Sequence, residues 1–148
     1  MRCAIGADDR SPLTDALIDE LERRAIEVDR YGALRAVDPA TICPEPEWAS
    51  IGRAVGEEVA TGRAELGIVC CWTGTGISIA ANKIRGVRAA LCADAVTAQG
   101  ARRWNDANVL ALSLRATSPA VGREILDAFL AAAASDDPSD RRSIEAVE

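Results

Sequence analysis

Cys71 ends an apolar β-type run, Gly67-Ile-Val-Cys-Cys71, and Trp72-Thr-Gly-Thr-Gly76 follows before a helical pattern begins. Strand, glycine turn and helix together aim backbone N–H groups at an anion. Here they also set a thiol at the mouth of the turn. A thiol beside a helix N-terminus is favoured as thiolate. Such a thiolate can take the proton from a carbon next to a carbonyl while the turn's N–H groups hold the enediolate oxygens. Adjacent strand residues point to opposite faces, so Cys70 and Cys71 do not share a pocket, and Cys71 is the candidate base. On residue physics alone, a packed strand-end cysteine accounts for Cys71 equally well.

Thr73 and Thr75 flank Gly74 and offer hydroxyls to a polyol, or else cap the helix that follows. Asp8 and Asp9 can accept hydrogen bonds from sugar hydroxyls, or serve as turn residues. Asn105, in Trp104-Asn-Asp-Ala-Asn108, reads by itself as loop. The chain has no histidine, the side chain that ordinarily titrates near neutral pH. A Ser-His-Asp or Cys-His catalytic machine is therefore excluded, and acid–base chemistry falls to thiols, carboxylates or the substrate.

The formal charge of −6 over 148 residues disfavours nucleic-acid binding and a membrane-surface role. No run approaches the ~18 apolar residues of a membrane helix. The N-terminus passes directly into a strand-like pattern, which predicts no signal peptide. The five cysteines are odd in number and lack metal-ligand spacing, so neither a disulfide framework nor a zinc site is expected. A reducing cytoplasm fits this usage. With three Trp, one Tyr and one Phe, the core must be aliphatic.

Positioning these residues takes alternating elements. The patterns predict strands at Arg2–Ala7, Ala25–Val28, Ala64–Cys71, Val87–Cys92 and Val109–Leu114. Helices are predicted at Leu13–Arg24, Trp48–Thr61, Gly76–Lys83, Asp94–Trp104 and Ser118–Ala134, with Ser11-Pro12 starting the first. Residues 29–47, with three prolines, read as a long functional loop. The result is a single α/β domain at 1–134, a three-layer doubly wound (Rossmann-like) sheet of about five parallel strands. Residues 135–148 form a charged C-terminal tail. Ligands of such sheets lie beyond the strands' carboxyl ends, which gathers Asp8, Asp9, Cys71 to Gly76 and the segment after Cys92. A dinucleotide fingerprint would need glycine at position 79, which is Ile79, and no Gly-Lys-Ser/Thr loop is present.

With these residues laid out, the chain resembles the type B ribose-5-phosphate isomerase and galactose-6-phosphate isomerase subunit family. The carriers are Ala4-Ile-Gly-Ala-Asp8, Gly67 to Gly76, Ser78-Ile-Ala-Ala-Asn-Lys83, Gly86 to Cys92, Asn105 to Leu110 and Phe129-Leu130. The resemblance implies aldose–ketose isomerisation of sugar phosphates through an enediol, with no metal or organic cofactor. It implies Cys71 as catalytic base and Thr73 as the hydroxyl assisting proton shuttling. Gly74, Thr75, Gly76 and Ser78 match the anion-holding turn, Asp8 and Asn105 match residues that hold sugar oxygens, and Arg142 is left to hold phosphate. It also implies a homodimer or tetramer with the site at the subunit interface.

The departures are specific. Asp9 and Trp104 stand where the family carries histidines, the second assigned to opening the sugar ring, and Trp72 stands where it usually has glycine. A substrate that needs no ring opening follows as an expectation: a tetrose or short ketose phosphate, or a sugar without the usual terminal phosphate. The alternative is a non-catalytic sugar-binding protein or partner subunit on the same scaffold. Retention of Cys71, Thr73 and the turn favours the enzyme.

Overall fold

The structure is a computed structural model describing residues 1–35 and 47–148. Its elements are β1 (Arg2–Ala7), α1 (Pro12–Arg23), β2 (Glu27–Gly32), α2 (Trp48–Ala60), β3 (Leu66–Cys71) and α3 (Thr75–Ala81). They continue through β4 (Ala89–Leu91), α4 (Ala95–Asn105), β5 (Val109–Ser113), α5 (Pro119–Ala131) and α6 (Pro138–Glu145). All strand pairs are parallel, in the order β2-β1-β3-β5-β4, which puts β3 at the centre.

Every residue of β3 is buried, as its unbroken apolar run requires for a strand covered on both faces. Alternation along the strands builds two aliphatic cores. Cys3, Ile5, Ile68, Cys70, Leu110 and Leu112 pack with α1, α4 and α5, around Leu17, Leu21, Ile125 and Phe129. Ala4, Val69, Cys71, Val109 and Ala111 pack with α2 and α3, around Ile51, Val55 and Ile77. The three-layer α/β fold is therefore the one expected, and Cys70 and Cys71 do point to opposite layers. Cys3, Cys70, Cys71 and Cys92 are free thiols in the interior, and burial pushes the Cys3 thiol up to about 12. Cys43 and most of the proline-containing loop lie outside the described residues.

Two predicted elements differ from what forms. The second strand starts at Glu27 and runs to Gly32, later than the predicted Ala25–Val28. Ala25 instead turns the chain at a φ of 56°. As an edge strand, β2 carries Asp29 and Arg30 half-exposed, so no apolar alternation marks it. The charged tail contains α6, opened by Asp137, whose carboxylate accepts from the Ser139 N–H, with Pro138 in the first turn. None of its residues is buried, so it has no apolar stripe to read.

Candidate active site

The connections from β1 lead toward β2, and those from β3 lead toward β4. The winding therefore reverses between β1 and β3, where a doubly wound sheet opens its ligand crevice. Ala7 pairs with Cys70, so Asp8 and Cys71 leave the sheet side by side at that point. Asp8 is partly buried and Asp9 exposed. Burial holds the Asp8 carboxyl above its usual range, and the neighbouring Asp9 charge adds to this. The nearby cation Arg10 is held by Asp15, Nε to Oδ1, at 2.8 Å.

Cys71 is 5% exposed. Its carbonyl accepts from the N–H groups of Gly74 and Leu114, which folds the turn back over the end of β5. Gly74 takes a φ of 75°, a left-handed conformation open to glycine at little cost. A Cβ there would lie 2.5 Å from Leu91 Cδ1 and 2.9 Å from the Leu112 carbonyl oxygen. No side chain caps α3, so its first N–H groups are left for other acceptors. Thr73 Oγ1 and Thr75 Oγ1 are 2.7 Å apart and exposed. They pair with each other rather than capping the helix. Trp72 is 65% exposed, and its carbonyl accepts from Ser113 Oγ and the Arg115 N–H. Gly76 is half-buried and Ser78 lies within the core.

Trp104, Asn105 and Arg142 are elsewhere. Helix α4 runs back from the carboxyl edge, and its last residues reach the opposite end of the sheet. There Arg88 donates to the Asp106 carbonyl and carboxylate at 2.8 and 3.0 Å. Asn108 Oδ1 accepts from the Arg88 N–H at 2.8 Å. The next residue, Ala89, is in register with Val109, and Val109 with Gly67. That level is four residues before Cys71, about 13 Å along the strand. Trp104 and Asn105 line an open cavity of about 440 Å³ with Asn82, Arg88, Ile144 and Val147. Arg142 is exposed on α6, which packs against α4. Within one chain the predicted site residues thus form two groups at opposite ends of the sheet. Asp8, Asp9 and residues 71–78 make one group, and Trp104, Asn105 and Arg142 the other.

Two residues at the carboxyl edge escaped the sequence reading. Ser113 anchors the Trp72 carbonyl, and Trp48 lays its indole against Gly76. Neither has a local signal, because each matters only through a tertiary contact. Among the described residues no group of three His, Cys, Asp or Glu is placed to hold a metal ion. Among them, too, no helix is long and apolar enough to cross a membrane.

Comparison with known proteins places this architecture. The family pattern described as Ribose/Galactose Isomerase matches residues 3–147. D-erythrulose-4-phosphate isomerase of Pectobacterium atrosepticum is 35% identical over 128 residues, spanning 86% of this chain and 80% of that protein. Ribose-5-phosphate isomerase B of Escherichia coli is 38% identical over 124 residues, spanning 81% of this chain and 76% of that one. The solved structure of ribose-5-phosphate isomerase B of Clostridium thermocellum superposes with a TM-score of 0.85 at 33% identity, covering 99% of this chain and 95% of the other. This chain belongs to the ribose/galactose isomerase family.

Proposed function

We propose that the chain is a cofactor-independent aldose–ketose isomerase acting on a short sugar phosphate, with Cys71 as the base. The observation that carries this reading is the intact Cys71–Gly76 turn beside Asp8, at the point where the sheet's winding reverses. The Cys71 thiolate takes the proton from C2 of an open-chain aldose. The C2–H electrons form the C1–C2 double bond, and the C1 carbonyl oxygen becomes an enediolate oxygen held by the turn's N–H groups. Thr73, with Thr75 at hydrogen-bond distance, relays a proton between the two substrate oxygens. The Cys71 thiol then returns its proton to C1, which leaves the carbonyl at C2. Asp8 accepts from a substrate hydroxyl.

The substrate is a four-carbon sugar phosphate. A tetrose whose terminal oxygen carries phosphate has no hydroxyl left to close a five-membered ring, so no ring-opening acid is required. Trp104, which cannot titrate, is compatible with such a substrate. The relative named for D-erythrulose-4-phosphate supports the same chain length.

The site is completed by a second copy in a homodimer. Trp104, Asn105 and Arg142 are too far from Cys71 to serve the same site in one chain. Exposed Trp72, Ile79, Leu91 and Val96 supply apolar surface around the β4 side of the carboxyl edge for the contact. The enzyme would act in the cytoplasm, in keeping with the four unpaired cysteines among the described residues.

The test is deuterium incorporation at C2 (aldoses) or C1 (ketoses) in deuterated water, read by NMR over a panel of phosphorylated and free sugars. Exchange with tetrose phosphate is expected in the wild type. Cys71→Ala lowers it by about 10²–10⁴-fold, the usual worth of a positioned base. Wild-type rates with that variant would remove Cys71 from the reaction.

A further inference from the structure

Trp48 opens α2, and its indole is 45% exposed. Its ring lies directly against Gly76, since a Cβ there would come within 3.1 Å of Cδ2 and Cε3 and 3.2 Å of Cζ3. One helical turn on, Gly52 lets α2 sit on α3. A Cβ at that position would meet the Ile77 carbonyl oxygen at 2.6 Å and Ala80 Cβ at 2.9 Å. The helix that carries the indole is therefore seated closely on α3, with the Trp48 ring against Gly76 at the start of that helix. Gly76 belongs to the same turn as Thr73 and Thr75, which follows directly on Cys71, so the half-exposed indole stands beside that turn.

We propose that Trp48 is a specificity-determining wall of the site, setting the length of substrate that fits between the Cys71 turn and α2. This rests on the isomerase reading above. A substrate with C1 and C2 at Cys71 and Thr73 has its remaining carbons bounded on the α2 side by the Trp48 ring. One additional CHOH unit has to displace that ring or leave the turn. Discrimination over a single carbon in a fitted pocket is worth about 10–200-fold. Trp48 is a wall rather than a catalytic group, because it has no proton to give or take at the reacting carbons. Its removal therefore changes which chain is preferred and leaves the proton transfer itself in place.

The test is calorimetric binding of four- and five-carbon aldonic acid phosphates. These carry a carboxylate where the enediolate oxygens develop and cannot be isomerised. The wild type is expected to prefer the four-carbon acid, and Trp48→Ala to reduce that preference by about tenfold or more. Trp48→Phe keeps a ring against Gly76 and shifts the preference less, in the same direction. It also serves if the alanine variant fails to fold. An unchanged four-to-five-carbon ratio in whichever variant is folded overturns the proposal, even where its melting temperature falls. So does a wild type that binds both acids equally. Solvent deuterium exchange, measured in parallel, separates the two readings. Exchange with no effect of Trp48 on the ratio removes this proposal alone, and a shifted ratio without exchange in the wild type removes the isomerase alone.

Discussion

Cys71 and Asn105 stand at opposite ends of one parallel sheet. Cys71 closes the central strand at its carboxyl edge. Asn105 ends the helix that returns to the amino edge, one residue before Asp106 receives Arg88. The turn that would remove a proton and the amide that would hold a sugar oxygen cannot meet in one molecule.

Mixing chains tests that separation. Cys71→Ala and Asn105→Ala each disable a different half of the site, and each alone forms an inactive homodimer. Unfolded together and refolded, they make mixed dimers in which one site pairs an intact turn with an intact Asn105. Random pairing of equal amounts restores about a quarter of the wild-type activity. No restoration, with mixed dimers demonstrated by native mass spectrometry, would place both residues' functions in the same subunit.

Gly74 carries the shape of the turn, and its effect can be divided into backbone and contact. Gly74 and Gly62 both adopt left-handed angles, 75° and 72°. A Cβ at Gly62 meets nothing within 4 Å, whereas one at Gly74 meets Leu91 and the Leu112 carbonyl. Gly62→Ala is expected to cost about 1 kcal/mol, the left-handed backbone penalty by itself. Gly74→Ala should cost about 1–3 kcal/mol more, because a strand carbonyl cannot step aside. Urea unfolding of the two variants gives the difference. Gly62→Ala should keep full activity, while Gly74→Ala loses it even at temperatures where it is folded.

The legible parts of the sequence are those with a local cause. β1, β3 and β5 are continuous apolar runs because helices cover both faces, and Ser11-Pro12 and Asp94 announce helix starts with their own side chains. The glycine turn is readable for the same reason, since Gly74 must be glycine at that angle. What is not legible depends on partners far away in the chain. β2 hides behind edge-strand charges, and α6 has no buried face. Asp106 and Asn108 sit in a stretch that by itself reads as loop, yet they hold Arg88 and the start of β4. The division of the candidate site between two ends follows from the length and direction of α4, which residue types alone do not convey. Trp48 likewise becomes visible only through the missing side chain of Gly76.

Asp8 links the site to stability through pH. Burial is the main cause of its raised carboxyl pKa, Asp9 adds to it, and the Asp8 and Asp9 backbone N–H groups offset part of it. A carboxyl whose pKa is higher folded than unfolded holds its proton more tightly in the native state. Its stabilising contribution is present below the unfolded value, about pH 4, and is lost as pH rises through the folded value. At neutral pH the ionised carboxylate is thus a cost to the fold, and Asp8→Asn removes it. The variant should melt higher than the wild type at pH 7, by a small margin because Asp8 is only partly buried. The margin should close in acid below about pH 4. Activity should move the other way, since loss of a charged acceptor for a substrate hydroxyl costs about 1.5–3 kcal/mol, roughly 10–150-fold in kcat/KM. Melting curves at pH 3.5 and 7, set beside the exchange rate, read both effects. A variant that is less stable at pH 7 would show that Asp8 supports the fold rather than being held there, at a cost, for the ligand.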